Sequence, residues 1–260
     1  MASKFVMGLD ETFPTLDFAP SIEAVIHWQA SATKPLRQDE LSAQLSERLP
    51  EYPTRQTQYA AEFSALSRVD GSSQIAHRNQ WNGFRLQTID GRYVVQFAPA
   101  NVVFSRLEPY EGWREFQRKA MEVWDIFLEL AKPTEIGRLG VRFINRISLI
   151  DNESPAEYLQ KVQPPPSGID LPTESFFYQD TYQVPGYPYR INWGRTVQPQ
   201  QPDPQQGKTL LVDIDVFTVK SLSIDRELLI KRLTEMRWLK NKFFFSCITD
   251  KALEQFRGKH

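Results

Sequence analysis

The chain has 260 residues, of which 41% are hydrophobic, and it carries 31 basic side chains against 32 acidic ones. This hydrophobic content is ample for a core and excludes a mainly disordered protein. The formal net charge of −1 excludes a protein that coats nucleic acid through a long-range field, although a local basic patch is compatible with it. Cys247 is the single cysteine and the three histidines are widely separated, so we predict no disulfide framework and no zinc site assembled from histidine and cysteine. We assign no metal ligand and no cofactor.

The chain shows no targeting or membrane signal. The N-terminus has no apolar run of signal-peptide length before Asp10 and Glu11 interrupt it. No window approaches the roughly 18 apolar residues of a membrane-spanning helix. We therefore expect a cytoplasmic protein that does not enter a membrane, and its oligomeric state is left open.

The first half begins with a strand, a helix and a run of strands. Residues 21–30 alternate apolar and polar side chains with the period of a half-buried strand. A helix follows, because leucine recurs at every fourth residue between Pro35 and Pro50. Three strands are then predicted, the last two joined at Asp90-Gly91, the strongest hairpin signal in the chain: residues 54–67, 76–89 and 92–106.

A long helix and another strand complete this half. Residues 112–131 carry an aromatic stripe at three- and four-residue steps, which predicts a helix with one buried face. Residues 136–150 return to a strand, and Asn145 interrupts its apolar side. The residues predicted to pack together are Trp113, Phe116, Trp124 and Phe127 of the helix and Leu139, Val141 and Phe143 of the strand.

The composition changes beyond Asp151. Half of the prolines lie between Pro164 and Pro204, and residues 197–208, VQPQQPDPQQGK, are predicted to form a mobile loop. Strands are expected on either side of that loop, within the aromatic-rich residues 176–193 and at 209–220. A helix begins after Asp225, and a short one closes the chain.

This order of elements predicts an α+β protein with one or more antiparallel sheets and helices packed on one face. The first half is expected to be ferredoxin-like, with the order β-α-β-β-β-α-β. Whether the second half weakly repeats that plan or completes the same sheet is left open. We expect a single domain over residues 1–260, with halves 1–150 and 151–260 as the alternative.

A row of arginines is the first candidate binding feature. Arg138, Arg142 and Arg146 recur at every fourth residue of one strand, on the face opposite its apolar side chains. Their spacing of roughly 13 Å is too wide for one phosphate but suits a nucleic-acid backbone or an acidic partner surface. The alternative is that the arginines pair with carboxylates of neighbouring strands.

The C-terminal thirty residues form the second candidate feature. They carry eight basic side chains against three acidic ones, and Lys240 and Lys242 are its candidate binding residues. Such an excess of positive charge can mark a contact surface for nucleic acid or for an acidic protein. A solvated helix face with cations near its C-terminus is the alternative.

Asp213 and Asp215 are the third candidate feature. They alternate with valine and isoleucine, so both carboxylates lie on one face of a strand and could bind a divalent cation. The simpler interpretation is that both aspartates face water. No nucleophile elbow, phosphate-binding loop or dinucleotide fingerprint occurs in the chain, so we predict no catalytic residue.

Three stretches carry a resemblance to a known family. The first is residues 20–26, PSIEAVI, and the second is residues 136–147, IGRLGVRFINRI, which follow a helix starting at Gly112-Trp113. The third is the closing helix, where Phe244 or Phe245 leads into residues 248–250. Together they resemble a family of uncharacterised, sporadically distributed prokaryotic proteins, and the resemblance spans essentially the whole chain. Trp238 departs from the Leu-His pair expected near that position.

The resemblance implies no activity, cofactor or catalytic residue. A sporadic distribution favours genes that travel with mobile elements, phage-defence loci or toxin–antitoxin pairs, which is an association and not a mechanism. We therefore expect a non-catalytic binding or regulatory accessory protein of such a gene cassette, with a protein as its partner. A nucleic-acid-binding or nucleic-acid-processing protein is the alternative, and a metal-dependent enzyme at Asp213 and Asp215 is the third hypothesis.

Overall fold

The computed structural model describes residues 5–34, 36–67, 73–149, 153–162, 174–198 and 208–257. Within these residues the chain forms nine strands and four α-helices. Their order is β1 (Ser21–Gln29), α1 (Gln38–Arg48), β2 (Thr54–Ser67), β3 (Ser73–Gln87), β4 (Tyr93–Ala98), β5 (Asn101–Leu107), α2 (Trp113–Ala131), β6 (Arg138–Ser148), β7 (Phe176–Gln183), β8 (Tyr189–Gln198), β9 (Thr209–Thr218), α3 (Arg226–Cys247) and α4 (Asp250–Phe256).

All nine strands belong to one sheet, in the order β2-β3-β4-β5-β1-β6-β9-β8-β7. Every neighbouring pair is antiparallel. The predicted α+β class with a large antiparallel sheet is therefore confirmed. The strands of the second half, β7, β8 and β9, extend the sheet beyond β6, so the second half completes the first sheet.

The predicted order of the first half is wrong by one strand. Residues 92–106 form two strands, β4 and β5, because Pro99 and Ala100 make a two-residue turn between the paired residues Ala98 and Asn101. Four strands therefore lie between α1 and α2, and the ferredoxin-like topology is not confirmed. The sequence signal was the proline, which cannot donate a ladder hydrogen bond and marks the turn.

The predicted loop at residues 197–208 is also partly wrong. Val197 and Gln198 are the last residues of β8, where they pair with Leu210 and Thr209 of β9. Val197 is buried, because the alternation of β8 directs it to the helix side of the sheet. Residues 199–207 lie outside the described residues, so the prediction for them is not tested.

Helix α2 covers the centre of one sheet face, as its periodicity predicts. The Trp124 ring stacks on Trp28 of β1 with 5.5 Å between ring centroids. The Phe116 ring lies 5.4 Å from Phe104 of β5 and 6.4 Å from Phe143 of β6. The stripe predicted from the sequence is therefore the buried face of the helix.

Helix α3 lies on the same face, against β6 and β9. It begins where the carboxylate of Asp225 accepts a hydrogen bond of 2.7 Å from the backbone N–H of Leu228. The N-terminal segment before β1 packs on the C-terminal half of α3, where the Phe13 ring stacks on Phe245 with 5.6 Å between ring centroids. A space remains between this N-terminal segment, the start of α2 and α3, and it is the larger of the two cavities described below.

Candidate functional site

The arginine row lies on the face of the sheet opposite α2 and α3, which we call the open face. Arg142 binds Asp213 of β9 through two parallel hydrogen bonds, 2.8 Å from Nε to Oδ1 and 2.5 Å from Nη2 to Oδ2. Such a fork is the strongest arrangement of an arginine and a carboxylate. Arg146 lies 3.6 Å from a carboxylate oxygen of Glu108. Each of these two guanidinium groups therefore already has an acidic neighbour.

Arg138 occupies the other end of the row. It donates a hydrogen bond of 2.7 Å to Asp215, and its guanidinium carbon lies 4.5 Å from the centroid of the Phe217 ring. The absence of a side chain at Gly140 makes room for it, because a Cβ there would lie 2.7 Å from Nη1 of Arg138. Burial, and secondarily the charge of Arg138, lowers the pKa of nearby His27 to about 4. Neutral His27 can accept a hydrogen bond from Arg138, whose Nη1 lies 3.2 Å from its Nδ1.

These contacts correspond to the second interpretation of the row, in which arginines pair with neighbouring carboxylates. Asp213 and Asp215 each bind a guanidinium, and burial outweighs the nearby arginines in raising the pKa of Asp215. Within the described ranges no group of three or more His, Cys, Asp and Glu side chains is arranged to hold a metal ion. The open face does have a hollow of about 330 Å³ beside this network, lined by Arg142, Asp213, Asn192 and Phe177 among others.

The larger cavity, which we call the helix-side cavity, has a volume of about 650 Å³. This volume lies within the range of small-molecule sites. Its walls come from the N-terminal segment, the Tyr110–Trp113 turn that enters α2, and the middle of α3, while β6 forms its floor. The side chains that matter for its chemistry are Tyr110, Trp113, Phe143, Arg237, Lys240 and Phe244.

Lys240 provides the most unusual group in this cavity. Its Nζ atom lies 3.9 Å from the centroid of the Phe143 ring. Within the described residues, no carboxylate lies within 4 Å of this nitrogen and no hydrogen-bond acceptor contacts it. Burial lowers its pKa to about 7, and the charge of Arg237 adds to this effect. A substantial fraction of the amine is therefore neutral at physiological pH.

Arg237 lies one turn before Lys240 on α3, so both side chains extend from the same side of the helix. Its guanidinium carbon lies 5.7 Å from the centroid of the Trp113 ring, and the described residues place no carboxylate within 4 Å of it. Gly112 precedes α2 at this point and provides no side-chain cap for its first backbone N–H groups. These groups add partial positive charge beside two cations.

Two of the acidic residues in the cavity wall are already neutralised. Glu11 accepts a hydrogen bond of 2.6 Å from Lys242, and Glu111 accepts one of 2.6 Å from Arg106. Asp10 is the third acidic residue of the wall and is exposed to solvent. The basic side chains of the wall that have no carboxylate within 4 Å among the described residues are therefore Lys240 and Arg237, of which Arg237 is exposed. Lys242, a predicted binding residue, is engaged in the ion pair with Glu11.

The floor of the cavity explains the polar interruption of β6. Asn145 is buried, accepts a hydrogen bond of 2.8 Å from the Ser21 hydroxyl and donates one of 3.1 Å to the Val212 carbonyl. Its hydrogen-bonding groups thus connect β1, β6 and β9. Tyr110 packs edge-on against Phe143 at 5.2 Å, and burial raises the pKa of its hydroxyl, which keeps it neutral.

The structure separates the five predicted binding residues. Arg138, Arg142 and Arg146 lie on the open face, Lys240 lies in the helix-side cavity, and Lys242 is at its edge. Sequence patterns predicted only a packing role for Trp113 and Phe143 and no role for Tyr110. The useful signal was the spacing of three residues between Arg237 and Lys240 on one helix.

The comparisons with known proteins add no relative: no protein-family model matches the chain, and no curated protein matches it. The resemblance described above therefore stays a prediction. In the part of the chain that the structure describes, no helix is both long enough and apolar enough to cross a membrane.

Proposed function

We propose that this protein binds a small carboxylate with an aromatic or apolar body in the helix-side cavity. The observation that carries the proposal is the pair formed by Lys240 and Arg237, two cations without a carboxylate partner in a cavity of about 650 Å³. The proposal keeps the class expected from the sequence, a protein that acts by binding, and gives it a small-molecule ligand.

The charge of Lys240 is the physical reason for an anionic ligand. Removing an ammonium group from water without a partner is costly, and the same burial lowers the pKa of Lys240. A carboxylate in the cavity would offset it through a charge-assisted hydrogen bond, typically worth about 1.5–3 kcal/mol. Arg237 would add a planar fork that matches carboxylate geometry.

The walls of the cavity favour an aromatic body for the ligand. Trp113 and Phe244 are buried core residues that reach the cavity, and Phe143 lies beneath Lys240. Flat rings pack against such side chains in offset or edge-on geometry and gain about 0.5–1.5 kcal/mol beyond the area that they bury. A phenyl-substituted carboxylate therefore matches both the charge and the walls.

A calorimetric titration with 3-phenyllactate tests this proposal. We expect binding that Lys240→Met and Arg237→Gln each weaken by about 10–100-fold, the equivalent of one charge-assisted hydrogen bond. Lys231→Met is the matched control, since Lys231 is exposed on the same helix outside the cavity wall, and it should leave the affinity within about twofold. Equal affinity in all four proteins, or no binding at millimolar ligand, would contradict the proposal.

The open face supports a protein partner as the second candidate. Phe177 is 67% exposed on β7, and it lines the open-face hollow together with the paired Arg142 and Asp213. A surface of balanced charges with an exposed aromatic ring suits a polypeptide better than a phosphate backbone, which needs uncompensated cations. The nucleic-acid alternative would require the arginines to leave their carboxylates.

The association with a mobile or defence-type cassette and the cytoplasmic location stay predictions.

A further inference from the structure

We infer that Lys240 is a nucleophilic amine that forms an imine with the carbonyl carbon of an aryl-substituted 2-oxo acid bound in the helix-side cavity. This inference rests on the proposed carboxylate binding and adds a carbonyl group to the ligand. It assigns Lys240 a covalent role, whereas a plain carboxylate would only pair with it.

The spacing of the two cations on α3 supports a 2-oxo acid. Side chains three residues apart on a helix have Cβ atoms about 5–6 Å from each other, so Arg237 and Lys240 can reach neighbouring atoms of one small ligand. In a 2-oxo acid the carbonyl carbon is bonded directly to the carboxylate carbon. A carboxylate that binds Arg237 therefore presents its carbonyl carbon to the flexible chain of Lys240.

The surroundings of Lys240 favour the neutral amine, which is the nucleophilic form. Burial, with the charge of Arg237, lowers its pKa to about 7. Other ionisable groups in the cavity wall do not reverse this effect, since Glu11 and Glu111 are paired with Lys242 and Arg106, and burial keeps Tyr110 neutral. The remaining ones are Asp10, which is exposed, and Arg237 itself.

Three other described lysines have carboxylate neighbours. Lys242 pairs with Glu11, Lys251 lies 2.6 Å from carboxylate oxygens of both Glu153 and Glu157, and Lys119 lies 3.8 Å from Glu115. Carboxylate neighbours stabilise the charged ammonium form, which has no lone pair for attack. Among the described residues of the cavity wall, Lys240 is the one lysine, so a carbonyl ligand bound there should react with it.

The reaction balances without an oxidant or reductant. The lone pair of Nζ attacks the carbonyl carbon, and the carbon–oxygen π pair moves to oxygen, which takes a proton from solvent to give a carbinolamine. The nitrogen then loses one proton to solvent. The hydroxyl group is protonated and leaves as water with the carbon–oxygen bonding pair, while the nitrogen lone pair forms the carbon–nitrogen double bond, and loss of the second proton from nitrogen gives the imine. The products are one imine between Nζ and the former carbonyl carbon and one molecule of water.

Reductive trapping with phenylpyruvate tests the inference. The full chain is incubated with phenylpyruvate and cyanoborohydride near pH 7, and adducts are located by mass spectrometry of peptides. We expect one main adduct, on Lys240, in the wild-type protein and in Lys231→Met, which changes an exposed lysine outside the cavity wall. Lys240→Arg should abolish it, and Arg237→Gln should slow it at least tenfold. The rate should fall as the pH is lowered below 7, because the ammonium form of Lys240 has no lone pair for attack.

3-Phenyllactate separates this inference from the proposed function, because it has the same carboxylate and ring without the carbonyl. Protection of Lys240 from trapping by excess phenyllactate would support both. Binding of phenyllactate without trapping of phenylpyruvate at Lys240 would overturn the imine and leave the binding proposal standing. Binding of neither compound would overturn both, and labelling spread evenly over many lysines would overturn the inference.

Discussion

The Nζ atom of Lys240 lies 3.9 Å from the centroid of the Phe143 ring, on the helix side of β6. Arg142, which precedes Phe143 in β6, points to the opposite side of the strand and binds Asp213. One strand therefore separates a cation that has a carboxylate partner from one that has none among the described residues. This difference, and not the number of basic residues, distinguishes the two candidate surfaces.

The burial of Lys240 predicts a pH-dependent stability difference. Its pKa falls from an ordinary 10.5 to about 7 in the folded protein. Below pH 7 the amine is protonated in both the folded and the unfolded state, so the folded protein bears the full cost of burying the charge. Between pH 7 and 10.5 the unfolded state binds more protons than the folded state, so the free energy of unfolding rises with pH. Lys240→Met should thus be more stable than the wild type at pH 6, and its advantage should shrink towards pH 10.

Chemical denaturation at several pH values measures this difference. Lys242→Met, at the ion-paired lysine of the same helix, serves as the control. Its difference in stability from the wild type should not change with pH in this way. An unchanged difference between Lys240→Met and the wild type across this range would show that Lys240 is not desolvated.

The stack of Trp124 on Trp28 predicts a large effect of truncation. Trp124 is 1% exposed and packs on the centre of the sheet, so Trp124→Ala should lower the free energy of unfolding by roughly 3–5 kcal/mol. Denaturant unfolding of the two proteins checks this value. A loss below about 1 kcal/mol would mean that α2 does not pack through this face.

Because the three arginines of the open face already lie near carboxylates, we expect that replacing them changes nucleic-acid binding little. If Arg138, Arg142 and Arg146 contacted phosphates, changing all three to Gln would flatten the slope of log affinity against log salt by roughly two units for a single strand. We expect weak binding and no such change, because all three lie near carboxylates. The fold should remain, at a cost of about 1 kcal/mol or less for each of the more exposed pairs of Arg142 and Arg146. The loss of Arg138 should cost more, because its partner Asp215 is half-buried. Tight binding at physiological salt that the triple change removes would contradict this interpretation.

A buried polar cluster predicts a further stability effect. Glu235 is 6% exposed, accepts a hydrogen bond of 2.9 Å from Arg232 and another from the Tyr189 hydroxyl. Removing one partner of a buried ion pair costs about 3–5 kcal/mol, so Glu235→Ala should be strongly destabilising in thermal unfolding. Thr234→Ala, at the exposed neighbouring position, should have a much smaller effect. Similar melting temperatures for the two variants would contradict the role of this cluster.

Elements with a strong local pattern could be predicted from the sequence. The aromatic stripe of α2 and the alternation of β1 and β9 agree with the structure, because period and burial coincide there. The division at Pro99 was missed because apolar residues continue on both sides of the turn. The joining of β9 to β6 depends on pairing between distant segments, which local patterns do not specify.

The candidate site was less predictable than the fold. Lys240 was included because of the basic C-terminus, and nothing in that pattern distinguished it from Lys242. The difference arises from tertiary contacts: Glu11 reaches Lys242, while Phe143 lies against Lys240. The carboxylate partners of Arg138 and Arg142 likewise come from a strand more than seventy residues away.

A crystal structure of the protein soaked with 3-phenyllactate tests the central claim most directly. The account predicts the ligand in the helix-side cavity, with its carboxylate within about 2.7–3.2 Å of Nζ of Lys240 and of the Arg237 guanidinium, and with its ring against Trp113 or Phe244. A ligand bound only in the open-face hollow beside Arg142, or a helix-side cavity that stays empty at saturating ligand, would contradict it.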